Sequence, residues 1–534
     1  MGNMLSKYRI PLMLILSGAL TSLPLVCTSF GFVQWISIIP AALVLKHTTE
    51  NKETKLKSIY GYGLLFFMSY YLVIYHWFLY MYPLDFAGIS RGASAVVVCV
   101  AWFGLSFIQT VGSALVFVVF ALIVRTKTLE NAKPSLPLFA GAVWCVFEWL
   151  QTIGWWGVPW GRLCLGQSRA TFLLLSSSLL GSYVVTFVIV AVNFFLAYAI
   201  SCKEKKRLMT ILAAAVFSVN LIMCSFVRLV YRESDDKIAV AAVQGNIPSS
   251  EKWEIETLDK TLDIHKKYTT EAAKKGADIV VWSETAIPYD FFKNTTIMSF
   301  VSEVAKEAGV TILVSAFTEY EARDDARQNS LIEIRPDGTY GEAIYSKQRL
   351  VPFGEFVPMR ELVMFLIPPL AQIGMLEEDL IAGEESTVIE TDSGVVGCCI
   401  CFDSIYETVT REAVLNGAQV IAVSTNDSWF ADSAALYMHN SQSALRAIET
   451  GRYVVRSANT GISSIIDPMG KVKQSLGADV EGYVVDEISL RDTNTLYTAI
   501  GNAFVYFCVF SIIAVFVCSG IQKNAYKNRI VKNY

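Results

Sequence analysis

Apolar stretches of roughly 20 residues, the length a helix needs to cross the hydrocarbon core of a bilayer, recur seven times before residue 230 and once more near the C-terminus. They lie near 10–28, 29–45, 58–81, 93–124, 135–156, 171–200, 208–230 and 497–519. Water cannot solvate that much continuous apolar surface, so a polytopic α-helical membrane domain of eight spans is expected. Composition agrees, with 53% hydrophobic and only 17% charged residues. The fourth and sixth runs exceed one crossing and must tilt, kink or protrude. Neither contains a convincing polar break, and each reads as one span. Residues 231–495 differ, being mixed and charged like a globular domain, which gives a membrane domain at 1–230, a soluble domain at 231–495 and a last span with a basic tail at 496–534.

Charge orients the spans. Lysines and arginines gather at 46–57, 125–133, 203–207 and 523–532, whereas the short loops opposite hold Arg91, Arg162 and Arg169. Positive charge stays cytoplasmic. Both termini are therefore expected inside and the soluble domain outside. Leu25, Val26 and Cys27 hint at a lipoprotein processing site, but Val26 stands where a small residue is wanted and seven spans follow, so the first run reads as a retained span. The net charge of -4 offers no basic face for nucleic acid.

In 231–495 the pattern turns to short strand-like runs at 238–244, 278–283, 311–317, 330–334, 395–400, 419–424, 454–458, 463–466 and 482–488, with amphipathic helices at 258–275, 296–308, 405–416 and 441–450. This predicts a layered α/β domain with helices packed outside sheets. Only His265 and His439 fall inside it, so a multi-histidine metal site is not expected and a Ser-His-Asp hydrolase has few ways to be assembled. Its three cysteines, Cys398, Cys399 and Cys401, lie within four residues and cannot staple a fold.

Three segments could carry chemistry. Glu284 ends an apolar strand, where poor solvation would raise its pKa and suit a general base; alone, such a carboxylate more often caps the next turn. Lys347 opens a loop too apolar to be a solvated charge run, and an ammonium beside a reacting carbonyl would stabilise an oxyanion; the bland alternative is a surface lysine paired with Glu355. Cys401 lies at a strand-to-helix elbow, where a helix N-terminus would lower the thiol pKa, whereas Cys398 and Cys399 read as packing. His439 gives no reason to be preferred over Glu284 as the base.

In that chain order the three residues resemble the Glu, Lys and Cys triad of the nitrilase superfamily. With Gln244-Gly245-Asn246-Ile247-Pro248, Trp282-Ser283-Glu284, the run 351–358, Thr425-Asn426-Asp427-Ser428-Trp429-Phe430 and Asn459-Thr460-Gly461 set inside eight spans, the whole chain resembles the apolipoprotein N-acyltransferases, membrane-bound members of that superfamily. The resemblance implies an αββα sandwich for the soluble domain, with Glu284 as base, Lys347 as oxyanion stabiliser and Cys401 as nucleophile. It maps a family-important carboxylate onto Glu355 and a site aromatic onto Trp253. The family's usual Tyr-Glu after the nucleophile is Phe402-Asp403 here, which leaves the part played by that pair in substrate positioning open.

The implied reaction moves an acyl chain from a membrane phospholipid, through a cysteine thioester, to the α-amino group of a diacylglyceryl-cysteine at an apolipoprotein N-terminus. No cofactor or metal is implied; the protein would act as a monomer in the bacterial inner membrane, its partners being the phospholipid donor, the apolipoproteins and membrane lipid. The alternatives are a membrane-tethered amidase using the same triad with water, and a non-catalytic scaffold. The run 359–376 is too apolar for an exposed loop and too short to span, and is expected to form an interfacial arm guiding lipid to Cys401, unless it packs on the domain core. Trp429, Phe430, Leu436, Tyr437 and Met438 are expected to form a second membrane-facing loop.

Overall fold

A computed structural model describes residues 2–84, 90–126, 128–129, 132–154, 156–248, 251–320, 322–323, 326–366 and 378–532. The chain divides into two compact units, one built from 1–76, 99–230 and 500–534 and the other from 77–98 and 231–499.

Among the described residues, seven helical segments are long and apolar enough to cross a membrane: Tyr8–Val26, Thr28–Glu50, Leu56–Met81, Arg91–Val124, Tyr183–Ser201, Lys203–Val230 and Ala503–Asn524. The run near 135–156 folds as a shorter helix, Leu136–Leu150. The run near 171–200 is not one continuous helix. It breaks into Thr171–Leu180 and Tyr183–Ser201, because Gly181 turns the chain at φ +80, a conformation that costs glycine little and other residues more. Small hydroxyl residues mark the break: Ser176 Oγ donates to Asn220 Oδ1 at 2.7 Å and Ser182 Oγ accepts from Arg162 at 3.2 Å. Hydropathy rates serine as nearly neutral, so these contacts are invisible to an apolar-run reading. A carboxylate is also buried in this unit: Glu148 accepts from Trp144 Nε1 (3.1 Å), the Leu163 N–H (2.8 Å) and Thr186 Oγ1 (2.8 Å), which satisfies it away from water.

The second unit is built on thirteen strands: β1 (Lys237–Gln244), β2 (Ile279–Val281), β3 (Ile287–Asp290), β4 (Thr311–Glu319), β5 (Arg327–Ile334), β6 (Tyr340–Ser346), β7 (Val388–Thr391), β8 (Gly394–Ile400), β9 (Val420–Thr425), β10 (Tyr453–Ala458), β11 (Ser463–Ile466), β12 (Val472–Leu476) and β13 (Gly482–Ser489). One sheet runs β13-β1-β2-β4-β5-β6, with β3 on β4, and the other runs β12-β11-β10-β9-β8-β7. With the helices Ile255–Lys274, Thr295–Ala308, Glu407–Leu415 and Ala434–Thr450 they make the expected α/β sandwich. The strands β3, β6, β7 and β12 went unread in the sequence because they are half-exposed or short: β12 has four exposed residues of five and β6 one buried residue of seven. Without an apolar face they show no period-2 signal.

Parallel pairing places the chemistry. The strands β1, β2 and β4 run parallel in one sheet, and β8, β9 and β10 in the other. The sheets are tied where Ser424 Oγ donates to the Trp282 carbonyl (2.8 Å) and Ser457 Oγ to the Val243 carbonyl (2.7 Å). The first of these bonds sets the end of β9 against the end of β2. The residues just beyond both ends, Asn426 and Glu284, then meet. Ligand crevices of parallel sheets open at such carboxyl ends.

Candidate active site

Glu284 lies just past β2, and the next residue, Thr285, takes the left-handed conformation at φ +46. Its carboxylate is buried and fully engaged. Oε1 accepts from Lys347 Nζ at 3.0 Å and Asn329 Nδ2 at 2.8 Å, and Oε2 accepts from the Asn426 N–H at 2.8 Å. Lys347, one residue past β6, is 1% exposed and also donates to Glu355 Oε1 at 2.8 Å. Glu355 Oε2 accepts from the Val351 N–H at 2.8 Å, closing the loop between them. The alternative of a surface lysine on Glu355 is therefore corrected: Lys347 bridges two carboxylates inside the domain. Burial opposes its charge, but Glu284 and Glu355 hold its pKa well above the ordinary lysine value.

Cys401 leaves β8 at φ +51, a left-handed conformation unusual for a non-glycine residue, and is partly buried. Cys398 and Cys399 are fully buried in β8. The elbow does not open directly onto an α-helix: a 3-10 turn, Cys401–Ile405, intervenes before Glu407–Leu415. The expectation of a depressed thiol pKa is corrected accordingly. Burial pushes the Cys401 thiol up, the Glu284 charge adds to this and Lys347 opposes it. A thiol held protonated at neutral pH needs a base within reach, and two carboxylates act on it, Glu284 more strongly than Asp427.

Asp403 lies inside the domain. Its side chain is fully buried, with Oδ1 accepting from the Arg349 N–H (2.7 Å) and Oδ2 from the Ile400 N–H (3.0 Å) and the Tyr345 hydroxyl (2.7 Å). It ties the Lys347 segment to the Cys401 elbow. Burial raises its pKa to about 6. Phe402 packs edge-on against Tyr406. Trp253 is 47% exposed, with its ring stacked 6.4 Å from that of Phe317.

A second network lies behind the elbow. His439 Nδ1 is 2.9 Å from Asp427 Oδ1, and His439 Nε2 is 3.1 Å from Ser404 Oγ and 3.2 Å from the Cys401 carbonyl. Arg456, fully buried, donates to Asp427 Oδ2 at 2.7 Å. Although burial opposes ionisation, Arg456 and His439 hold the Asp427 carboxyl below the usual carboxylate range; burial and Arg456 push His439 down. Cys401, Asp427 and His439 bring ligand atoms within 4.8 Å of one another. The guanidinium on the same carboxylate already supplies the positive charge there. Sequence reasoning missed Asn329, which lay one residue outside the expected strand, and Arg456, an arginine inside an apolar strand. Asn426 and Asp427 were visible only as part of a motif.

The arm expected at 359–376 falls largely on residues outside those described. Its start folds as a short helix, Arg360–Leu366, with Leu362 49% and Phe365 80% exposed. The second membrane-facing loop is corrected: Phe430, Leu436 and Met438 are buried, Phe430 against the rings of Trp77 and His439, and Tyr437 alone among these large side chains is more than half exposed.

Two family models match the chain, one described as the apolipoprotein N-acyltransferase N-terminal domain over residues 17–195 and one as carbon-nitrogen hydrolase over 239–497. An apolipoprotein N-acyltransferase of Geobacter metallireducens is 28% identical across 93% of both chains. The chain belongs to the apolipoprotein N-acyltransferase family. A further family member, from Gloeobacter violaceus, is 28% identical across 90% of this chain and 88% of its own, and one from Methylococcus capsulatus is 31% identical across 62% and 63%. Within the family the chain is an acyltransferase with several apolar spans and a carbon-nitrogen hydrolase domain.

Proposed function

We propose that this protein transfers an acyl chain from a membrane phospholipid to the α-amino group of an N-terminal diacylglyceryl-cysteine on apolipoproteins, with Cys401 as nucleophile, Glu284 as base and Lys347 as oxyanion stabiliser. The observation that carries the reading is the buried Lys347–Glu284 ion pair beside a protonated cysteine, in a chain whose relatives are named apolipoprotein N-acyltransferase. Glu284 takes the thiol proton and the thiolate attacks the ester carbonyl. Lys347 and the Phe402 N–H stabilise the tetrahedral oxyanion. As the C–O bond breaks, Glu284 returns its proton to the departing alkoxide, leaving a lysophospholipid and a Cys401 thioester. A neutral α-amine then attacks, Glu284 accepts the proton lost from nitrogen and passes it to the departing thiolate, and an amide results.

The charge pattern of the loops supports an inner-membrane chain with cytoplasmic termini and an extracytoplasmic catalytic domain. Both substrates are anchored by acyl chains, so a domain tethered to spans on that side reaches them without extracting lipid. The exposed Leu362 and Phe365 suit contact with an interface, and Trp253 would line the acyl entry.

The test is intact-mass spectrometry of the purified full chain after incubation with phospholipid vesicles. The wild type is expected to gain one acyl mass that a diacylglyceryl-cysteine peptide removes, and Cys401→Ala to gain none. An acyl adduct on Cys401→Ala, or one discharged by water but not by the peptide, would refute the transferase.

A further inference from the structure

Lys252 lies in the turn after β1, where the N–H groups of Glu251 and Lys252 both bond the Pro248 carbonyl, at 3.1 and 3.0 Å. The flanking Trp253 is 47% exposed, yet Lys252 is 5% exposed. An ammonium withdrawn from water persists only where its surroundings compensate it. Here Nζ donates to the main-chain carbonyl of Glu284 at 2.6 Å, its one hydrogen bond among the described residues. The charge that supports it is Glu284, joined by Cys401 once that thiol ionises, and the other titratable group beside it is His265.

The loop is held in register with Glu284 from a second direction. Asn459 bonds both polar atoms of the Ile247 backbone (3.0 and 2.7 Å) and the side chain of Asn426 (3.1 Å), whose N–H holds Glu284 Oε2. Both ends of Glu284, carbonyl and carboxylate, are thus tied to the segment that carries Lys252.

Charge balance gives this placement a purpose. Lys347 alone faces two carboxylates, Glu284 and Glu355. Moving the Cys401 proton to Glu284 leaves a thiolate and Glu355 negative against one lysine. A second buried cation makes that state neutral. We propose that Lys252 is a positioning residue for the reaction, its charge holding Glu284 toward Cys401 and compensating, with Lys347, the thiolate as it forms. This rests on the assignment of Cys401 and Glu284 given above. Burial lowers the Lys252 pKa to about 8, so the charge is present at pH 7.

The test reads thiol reactivity without lipid. The full chain in detergent micelles is alkylated with iodoacetamide between pH 6 and pH 10, and label on Cys401 is followed by peptide mass for the wild type, Lys252→Met, Lys252→Gln and Lys252→Arg. Gln keeps a donor for the Glu284 carbonyl without the charge, and it decides the matter if the Met variant does not fold. Removing the charge is expected to slow Cys401 alkylation at pH 7 about tenfold, a difference that closes above about pH 8, where Lys252 itself loses its proton, with Arg recovering most of the loss. A wild-type profile for the Gln variant overturns the proposal. If the wild type takes no acyl group from phosphatidylethanolamine vesicles while the alkylation difference persists, the transferase reading fails and this one stands.

Discussion

Replacing Arg456 with methionine tests the network behind the nucleophile. Arg456 and Asp427 are both fully buried and joined at 2.7 Å. Methionine keeps the volume of the stem but strands a carboxylate whose remaining side-chain partners are the Thr425 hydroxyl (2.9 Å) and His439 (2.9 Å). Breaking a buried pair from one side costs about 3–5 kcal/mol. For a unit of this size that corresponds to a fall in melting temperature of roughly 10 °C. The pH dependence separates this mechanism from a simple packing defect. In the wild type Arg456 helps keep His439 neutral. Without it, burial still lowers His439 but the Arg456 repulsion is gone, so its folded pKa is less depressed than in the wild type. A depressed histidine costs stability as pH falls below the unfolded value of about 6.5, and a less depressed one costs less. The deficit of Arg456→Met should therefore narrow as pH falls from 8 to 5, read by tryptophan fluorescence melts of the full chain in detergent. A deficit of equal size across that range, or a melting point within about 2 °C of wild type, would refute the argument.

Two further outcomes follow from buried groups. Glu284→Gln keeps the shape but removes the base, and the rate of Cys401 acylation measured by mass should fall by about 10²–10⁴; an unchanged rate would remove Glu284 from the mechanism. His265 is buried and its pKa lowered to about 4 by that burial, so the unfolded chain binds the extra proton first and stability falls as pH drops from about 6.5 toward 4, by on the order of 3 kcal/mol in all. His265→Gln should flatten that part of the melting profile relative to wild type, and an unaltered slope would place the acid sensitivity elsewhere.

How far the sequence could be read depended on whether each signal was local. Apolar runs, an α/β alternation and three chemistry-bearing segments are properties of neighbouring residues, so they were legible. The elbow was located correctly but its electrostatics were not: Cys401 was expected to be acidified by a helix N-terminus, yet a 3-10 turn intervenes and burial beside Glu284 pushes the thiol the other way. The long run at 171–200 concealed a break, since a glycine among serines looks apolar enough until its backbone angle and its hydroxyl partners are known.

What the sequence by itself determined is the division between membrane-crossing helices and a soluble α/β domain, and the candidacy of Glu284, Lys347 and Cys401, because hydropathy and residue chemistry are written one position at a time. Only the tertiary structure decided that Lys347 bridges Glu284 and Glu355, that Asp403 ties two site loops together, and that Lys252 and Arg456 are buried cations. These pairings join residues 8 to 63 positions apart in sequence, and the burial that gives them their strength exists only once the two sheets have closed over them.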